Sequence, residues 1–252
     1  MQYIKIKYPD NQISVSITNK EWPYTIKERI NSYEDLMFVL SIAEALQHNQ
    51  IHNYHLEIPC LFGQRSDRRF EENNSFDLGL IIKILNIGLF KTVKVLDPHS
   101  IGSIQFINNC SVISPIKYVE ETLKQIASPN IVLISPDAGA YKKVFDYGEK
   151  FGLPVVAAVK HRDLTGKIDS QLMGDVKDKD CLITDDICDG GYTFIVLAKR
   201  LKELGAKKVY LYISHAYFSK GFDGLKENIE HIYCTNSIKD VENGFITQFK
   251  VI

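Results

Sequence analysis

Residues 182–194 read Leu182-Ile-Thr-Asp-Asp-Ile-Cys-Asp-Gly-Gly-Tyr-Thr-Phe194. The apolar run from Cys181 to Thr184 is typical of a buried strand, and a helix is expected to begin near Tyr192. Asp185 and Asp186 are expected where the strand ends, with a glycine-rich turn behind them. A buried strand that passes through a tight turn into a helix is typical of parallel α/β proteins.

The turn itself, formed by Asp189, Gly190, Gly191 and Thr193, has the composition of an anion-binding loop. Glycines let the backbone fold tightly, so that successive N–H groups can converge on a phosphate. The positive end of the following helix adds to the attraction. The adjacent carboxylates would then hold ribose hydroxyls or a metal. A solvated acidic turn between strand and helix is the alternative interpretation of these residues.

Outward from this stretch, strand and helix patterns alternate along the chain, which predicts an α/β fold with mainly parallel sheets. We place a domain boundary near Ser114, which gives an N-terminal half, residues 1–114, and a C-terminal half, residues 115–252. Residues 160–180 are polar, and we expect a mobile loop and a short hairpin there. The expected strands are residues 13–17, 54–58, 93–96, 131–134, 154–159, 181–184 and 208–214, and the expected helices are 33–47, 76–90, 115–127, 139–150 and 192–204.

The composition excludes several classes of protein. The chain has 252 residues and a net charge of −1, so no overall field favours nucleic acid or a membrane surface. No stretch is long and apolar enough to cross a bilayer. The five cysteines are odd in number and form no CxxC pair, which favours reduced thiols and a cytoplasmic protein and argues against zinc.

Acidic residues recur where strands are expected to end. Asp97 follows one strand, Asp137 closely follows another, and Asp185 and Asp186 end a third. Because ligands of open parallel sheets bind beyond the carboxyl ends of the strands, these positions predict one site for a divalent metal and a phosphate. Asp137 is equally suited to cap the helix that follows it, and the two roles are compatible.

The motifs along the chain resemble, in order, those of the ribose-phosphate diphosphokinase family, and the glycine-rich turn also resembles the phosphoribosyl-diphosphate (PRPP) loop of type I phosphoribosyltransferases. The resemblance is carried by Tyr8-Pro-Asp-Asn-Gln12, Pro59-Cys-Leu-Phe-Gly-Gln-Arg-Ser-Asp-Arg-Arg69, Leu96-Asp-Pro-His-Ser100, Ser135-Pro-Asp-Ala-Gly139, Lys160-His-Arg162, Gly174-Asp-Val-Lys-Asp178, residues 185–193 and Ser214-His-Ala-Tyr-Phe-Ser219. A chance match of this whole series is not credible, although one motif alone would be weak.

This resemblance implies two phosphoribosyltransferase-like domains with the site between them, small-molecule substrates and a homo-oligomer. It implies Mg²⁺ as cofactor and ATP as co-substrate. The implied residues are Lys160, Arg162 and His99 for catalysis; Arg65, Asp67, Arg68, Tyr8, Asp10 and Gln12 for ATP; Asp97, His99 and Asp137 for the metal; and Asp185, Asp186, Asp189, Gly190, Gly191, Tyr192 and Thr193 for the ribose phosphate.

The implied reaction is transfer of diphosphate from Mg-ATP to the anomeric hydroxyl of ribose 5-phosphate, which gives PRPP and AMP. Tyr192 stands where the family has a small residue, and its ring either packs under the helix or stacks on a larger acceptor. The alternative acceptor is therefore ADP-ribose, for NAD synthesis. A transferase that consumes PRPP would not need Lys160, Arg162 or the arginine cluster, and an inactive regulatory homologue would not retain Asp97 and His99.

Overall fold

The computed structural model describes residues 3–19, 23–69, 71–162 and 168–252. The chain divides into two compact units, Met1–Ser114 with Ile252, and Pro115–Val251.

The N-terminal unit combines a hairpin with a parallel sheet. Strands β1 (Tyr3–Lys7) and β2 (Ile13–Ile17) pair antiparallel. Strands β3 (Tyr24–Lys27), β4 (Tyr54–Ile58), β5 (Thr92–Leu96) and β6 (Cys110–Ile113) form a four-stranded sheet in that order, with every pair parallel. Helix α1 (Tyr33–His48) connects β3 to β4, and α2 (Asp77–Asn86) connects β4 to β5. The carboxyl ends of these four strands therefore lie at one edge of the sheet.

Local sequence explains the first helix of this unit. Ser32 caps α1, because its hydroxyl accepts from the N–H of Asp35 at 3.1 Å. Leu36, Val39 and Ile42 recur at helical spacing, and each is at most 1% exposed. Their burial against the sheet forms the core of the unit.

The C-terminal unit is built on a seven-stranded sheet in the order β13-β12-β11-β10-β7-β8-β9. Only the β8–β9 pair is antiparallel. The elements in chain order are α3 (Ile116–Ile126), β7 (Ile131–Ser135), α4 (Ala138–Phe151), β8 (Val155–Arg162), β9 (Ile168–Met173), β10 (Asp180–Cys188), α5 (Tyr192–Glu203), β11 (Lys208–Ala216), β12 (His231–Thr235) and β13 (Ile246–Phe249).

The order of these strands creates a switch point. From β7 the chain moves outward to β8 on one side, and from β10 it moves outward to β11 on the other. The strand order therefore reverses between the neighbours β7 and β10. In open α/β sheets the crevice beyond the carboxyl ends of such a pair is where ligands bind.

The predicted fold class is confirmed, but several predicted boundaries were wrong. Strand β10 does not end before Asp185 and Asp186; it continues to Cys188, because β11 pairs with it as far as Ala216. Lys160 and Arg162 belong to β8 rather than to a loop, because that strand pairs with β9 through Arg162. Helix α2 is shorter than residues 76–90. Strands β1, β3, β6, β12 and β13 were not among the expected strands.

Among the helices of the described ranges, none is long and apolar enough to cross a bilayer.

Candidate functional site

Asp137 follows β7 at the switch point of the C-terminal unit. Its carboxylate accepts from the N–H of Ala140 at 3.1 Å and caps α4, so the predicted capping role is confirmed. The hydroxyl of Ser135 donates to the backbone carbonyl of Asp137 at 2.7 Å and fixes the turn. The cap occupies one carboxylate oxygen, Oδ1.

The acidic pair lies in the neighbouring strand, within the last half of β10. Asp186 is 6% exposed, and its backbone N–H donates to Oδ1 of Asp185 at 2.9 Å. Burial raises the pKa of Asp185 well above its ordinary value, and the negative charges of Asp186 and Asp137 raise it further. Three carboxyl groups at this point of the sheet therefore form a region that favours a cation or hydroxyl donors.

A turn rich in unpaired N–H groups follows the acidic pair. Gly191 adopts the left-handed conformation, with φ of 78°, and its carbonyl accepts from the N–H groups of Phe194 at 3.0 Å and Ile195 at 3.1 Å. Within the part of the chain that the structure describes, the N–H groups of residues 190–193 donate to no protein acceptor. We call these four groups the cradle. Their arrangement at a helix N-terminus suits an anion.

Tyr192 does not pack under the helix. Its side chain is 68% exposed at the first position of α5, so the first of the two roles considered for this ring is wrong. The exposed ring is available to contact a ligand at the mouth of the turn.

In the N-terminal unit, two loops at the carboxyl ends of β4 and β5 are joined by side chains. The backbone N–H of His99 donates to Oε1 of Gln64 at 2.9 Å. The hydroxyl of Ser100 donates to Asp67 at 3.1 Å. Asp97 directly follows β5, is 3% exposed and has a φ of 41°, which an L-residue adopts only at some cost. The loops that carry the expected nucleotide and metal residues therefore meet within this unit.

The other expected ATP residues lie on the surface of the same unit. Arg65 and Arg68 are exposed on the loop after β4. Tyr8, Asp10 and Gln12 are exposed at the turn between β1 and β2, where the N–H of Gln12 donates to Asp10 at 3.1 Å. The expected ATP residues therefore lie on two different loops of the N-terminal unit, the loop after β4 and the turn between β1 and β2.

The structure gives incomplete information on the predicted catalytic residues and the predicted metal ligands. Lys160 and Arg162 lie on β8, but their side chains are outside the described part of the chain. Asp97 and His99 belong to the N-terminal unit and Asp137 to the C-terminal unit. Across residues 3–19, 23–69, 71–162 and 168–252, no three His, Cys, Asp or Glu side chains group as a complete metal site.

Comparisons with known proteins agree with this architecture. Residues 116–251, more than half of the chain, match the phosphoribosyl transferase domain. The ribose-phosphate pyrophosphokinase of Pyrococcus furiosus is 27% identical over 237 residues, which are 92% of this chain and 84% of the relative. Ribose-phosphate pyrophosphokinase 2 of Schizosaccharomyces pombe is 26% identical over 92% of this chain and 76% of its own length.

The chain belongs to the ribose-phosphate pyrophosphokinase family. The fold agrees: the crystal structure of phosphoribosylpyrophosphate synthetase from Mycobacterium smegmatis superposes with a TM-score of 0.87 at 20% identity, over 99% of this chain and 86% of that one.

The sequence did not predict the roles of two residues of this chain, Gln64 and Ser100. Gln64 is 2% exposed and links the two loops of the N-terminal unit, because its side-chain oxygen accepts from the N–H of His99. Its side-chain nitrogen donates to the sulfur of Cys60 at 3.2 Å. Ser100 ties the same loops through Asp67. Both lie inside motifs that the sequence analysis quoted, but a buried bridging role depends on tertiary contacts, and nothing in the local pattern distinguishes it from a surface polar residue.

Proposed function

We propose that this chain transfers the β,γ-diphosphoryl group of ATP to the anomeric hydroxyl of ribose 5-phosphate, giving PRPP and AMP. In this reaction the anomeric oxygen bonds to the β-phosphorus, the bond from that phosphorus to the α,β-bridging oxygen breaks, and AMP leaves. The hydroxyl proton is released. The observation that carries the proposal is the acidic pair beside the cradle at the switch point between β7 and β10.

The acceptor is assigned to the C-terminal unit on chemical grounds. A phosphate dianion matches the four free N–H groups of the cradle and the positive end of α5. Ribose hydroxyls match Asp185 and Asp186, because a carboxylate accepts hydrogen bonds from two neighbouring hydroxyls. Only a ligand with a phosphate at one end and hydroxyls at the other uses both halves of this site. Ribose 5-phosphate has that form.

The donor is assigned to the N-terminal unit because of its cationic side chains. Arg65 and Arg68 are exposed guanidinium groups on the loop after β4, and guanidinium pairs with phosphate oxygens in bidentate fashion. Lys160 and Arg162 would stabilise the charge that develops on the transferred group, since phosphoryl transfer is catalysed mainly by positioning and charge neutralisation.

The described carboxylates fit Mg²⁺. This ion prefers oxygen ligands, keeps several waters and is usually held by one or two carboxylates together with substrate phosphates. Asp137 follows β7 in the C-terminal unit, and Asp97 follows β5 in the N-terminal unit. The ion, when bound, neutralises charge on the phosphate oxygens.

A second acceptor, ADP-ribose, is favoured by the exposure of Tyr192. A ring that is 68% exposed at the start of α5 can stack on the adenine of a longer acceptor. For both acceptors we place the enzyme in the cytoplasm as a homo-oligomer, and the five free cysteines accord with a reducing compartment.

The test is an assay for AMP with Mg-ATP and each acceptor, with the product identified by ³¹P NMR. We expect PRPP from ribose 5-phosphate, no AMP in excess chelator, and restoration by Mg²⁺. Asp185→Asn is the matched negative control. If neither acceptor gives AMP, the proposal is refuted. If kcat/KM is higher with ADP-ribose than with ribose 5-phosphate, ADP-ribose is the acceptor.

A further inference from the structure

The segment after β11 is fixed against the end of β10. The N–H groups of Tyr217 and Phe218 donate to the carbonyl of Cys188 at 2.9 and 3.3 Å, and that of Ser219 donates to the carbonyl of Asp189 at 3.2 Å. Three backbone hydrogen bonds therefore hold this segment beside the residues that lead into the cradle. The next residue along the segment is Lys220.

The stem of Lys220 runs alongside the cradle. A methyl group placed on Gly190 would lie 3.7 Å from Cδ of Lys220, 3.9 Å from Cγ and 4.0 Å from Cε. The ammonium group is one bond beyond Cε, so the stem brings a full positive charge to the side of Gly190. Among the described residues, Lys220 forms no ion pair or hydrogen bond, and its side chain is exposed.

We propose that Lys220 is a phosphate-binding residue of the acceptor site, whose ammonium pairs with the 5′-phosphate that the cradle holds. This inference rests on the proposed function. The cradle supplies only partial charges, while Asp186 and Asp189 place negative charge on the same strand end and turn. A phosphate dianion would be repelled by these carboxylates, and a lysine ammonium offsets that repulsion with a charge-assisted hydrogen bond.

The experiment compares Lys220→Met with a matched control. Lys177 is also exposed and also lies alongside a glycine, since a methyl group on Gly205 would lie 3.3 Å from its Cγ, but it belongs to the turn before β10. Both substitutions keep the apolar stem and remove one positive charge. We expect Lys220→Met to raise the KM for ribose 5-phosphate on the order of ten-fold, with kcat and the KM for ATP unchanged. Lys177→Met should change none of the three constants, and Lys220→Arg should restore most of the affinity.

Calorimetry without ATP separates this inference from the proposed function. Ribose 5-phosphate and inorganic phosphate are titrated into the wild type and each variant. Weaker binding of both ligands to Lys220→Met alone supports the assignment, even if the wild type shows no transfer from ATP. Equal binding by the wild type and Lys220→Met overturns it and leaves the proposed function standing. Absence of binding to the wild type overturns both.

Discussion

Gly191→Ala tests the cradle most directly, because its effect on stability can be worked out separately from its effect on binding. Gly191 has a φ of 78°, and an L-residue in that conformation is less stable by about 1–2 kcal/mol. The added methyl would lie 3.5 Å from both Cδ atoms of Leu225, which is ordinary van der Waals distance, so steric repulsion adds little. The free energy of unfolding should therefore fall by about 1–2 kcal/mol.

Gly152→Ala is the matched control in the same unit. Gly152 has a φ of 64°, ends α4, and would bring its methyl within 4 Å of no atom. Gly152→Ala therefore introduces the same backbone strain. Urea unfolding should show that its free energy of unfolding also falls by about 1–2 kcal/mol. The two variants should differ only in function.

Relief of the strain at residue 191 turns the neighbouring N–H groups away from the phosphate. Hydrogen bonds to a charged group are worth about 1.5–3 kcal/mol each, so loss of one raises the KM for the acceptor roughly ten-fold or more. Steady-state kinetics should show this for Gly191→Ala and an unchanged KM for Gly152→Ala. If both variants lose stability equally and both keep the wild-type KM, the cradle is not the phosphate site.

Three further predictions concern other parts of the two units. Lys160→Ala and Arg162→Ala should each leave circular dichroism unchanged and lower kcat by about 10²-fold or more, and near-normal kcat in both would remove the catalytic assignment. Gln64→Leu should lower kcat or the apparent affinity for Mg²⁺ by about 10–100-fold, because it frees the loop that carries His99. The control Gln47→Leu removes an amide bonded to the hydroxyl of Tyr54 in the same unit and should lower neither quantity. Equal effects of the two substitutions would show that Gln64 has only a structural role. Asp185→Asn should stabilise the metal-free protein at pH 7. The folded carboxyl keeps its proton above the ordinary pKa of 3.8 while the unfolded one ionises, so wild-type stability falls as pH rises through that window; urea unfolding at pH 4 and pH 7 should show this fall in the wild type and a smaller one in the variant.

The parts of the fold that depend on local pattern were predictable from the sequence. Helices α1 and α5 bury one face at helical spacing, and the buried strand, glycine turn and helix of residues 181–203 follow from the opening stretch. The ordered series of motifs then identified the family, which the comparisons confirm.

The parts that depend on partners in space were not predictable. β10 continues through its acidic pair only because β11 is beside it, and Lys160 is in a strand only because β9 pairs with β8. The roles of Gln64 and Lys220 have the same origin. Each is a polar residue with no local signal, and each acquires significance from a loop that tertiary structure brings next to it.

The C-terminal unit concentrates features that oppose folding. A carboxyl whose pKa is raised, four N–H groups that find no acceptor among the described residues, and a left-handed residue all occur within one strand end and its turn. Each reduces stability in the absence of a ligand, and each is relieved by a complementary one. The carboxylates require hydroxyls or a cation, while the N–H groups and Lys220 require an anion. Because these opposite requirements stand side by side, we infer an acceptor that carries hydroxyls and a phosphate on one small scaffold, and a phosphorylated ribose satisfies both at once.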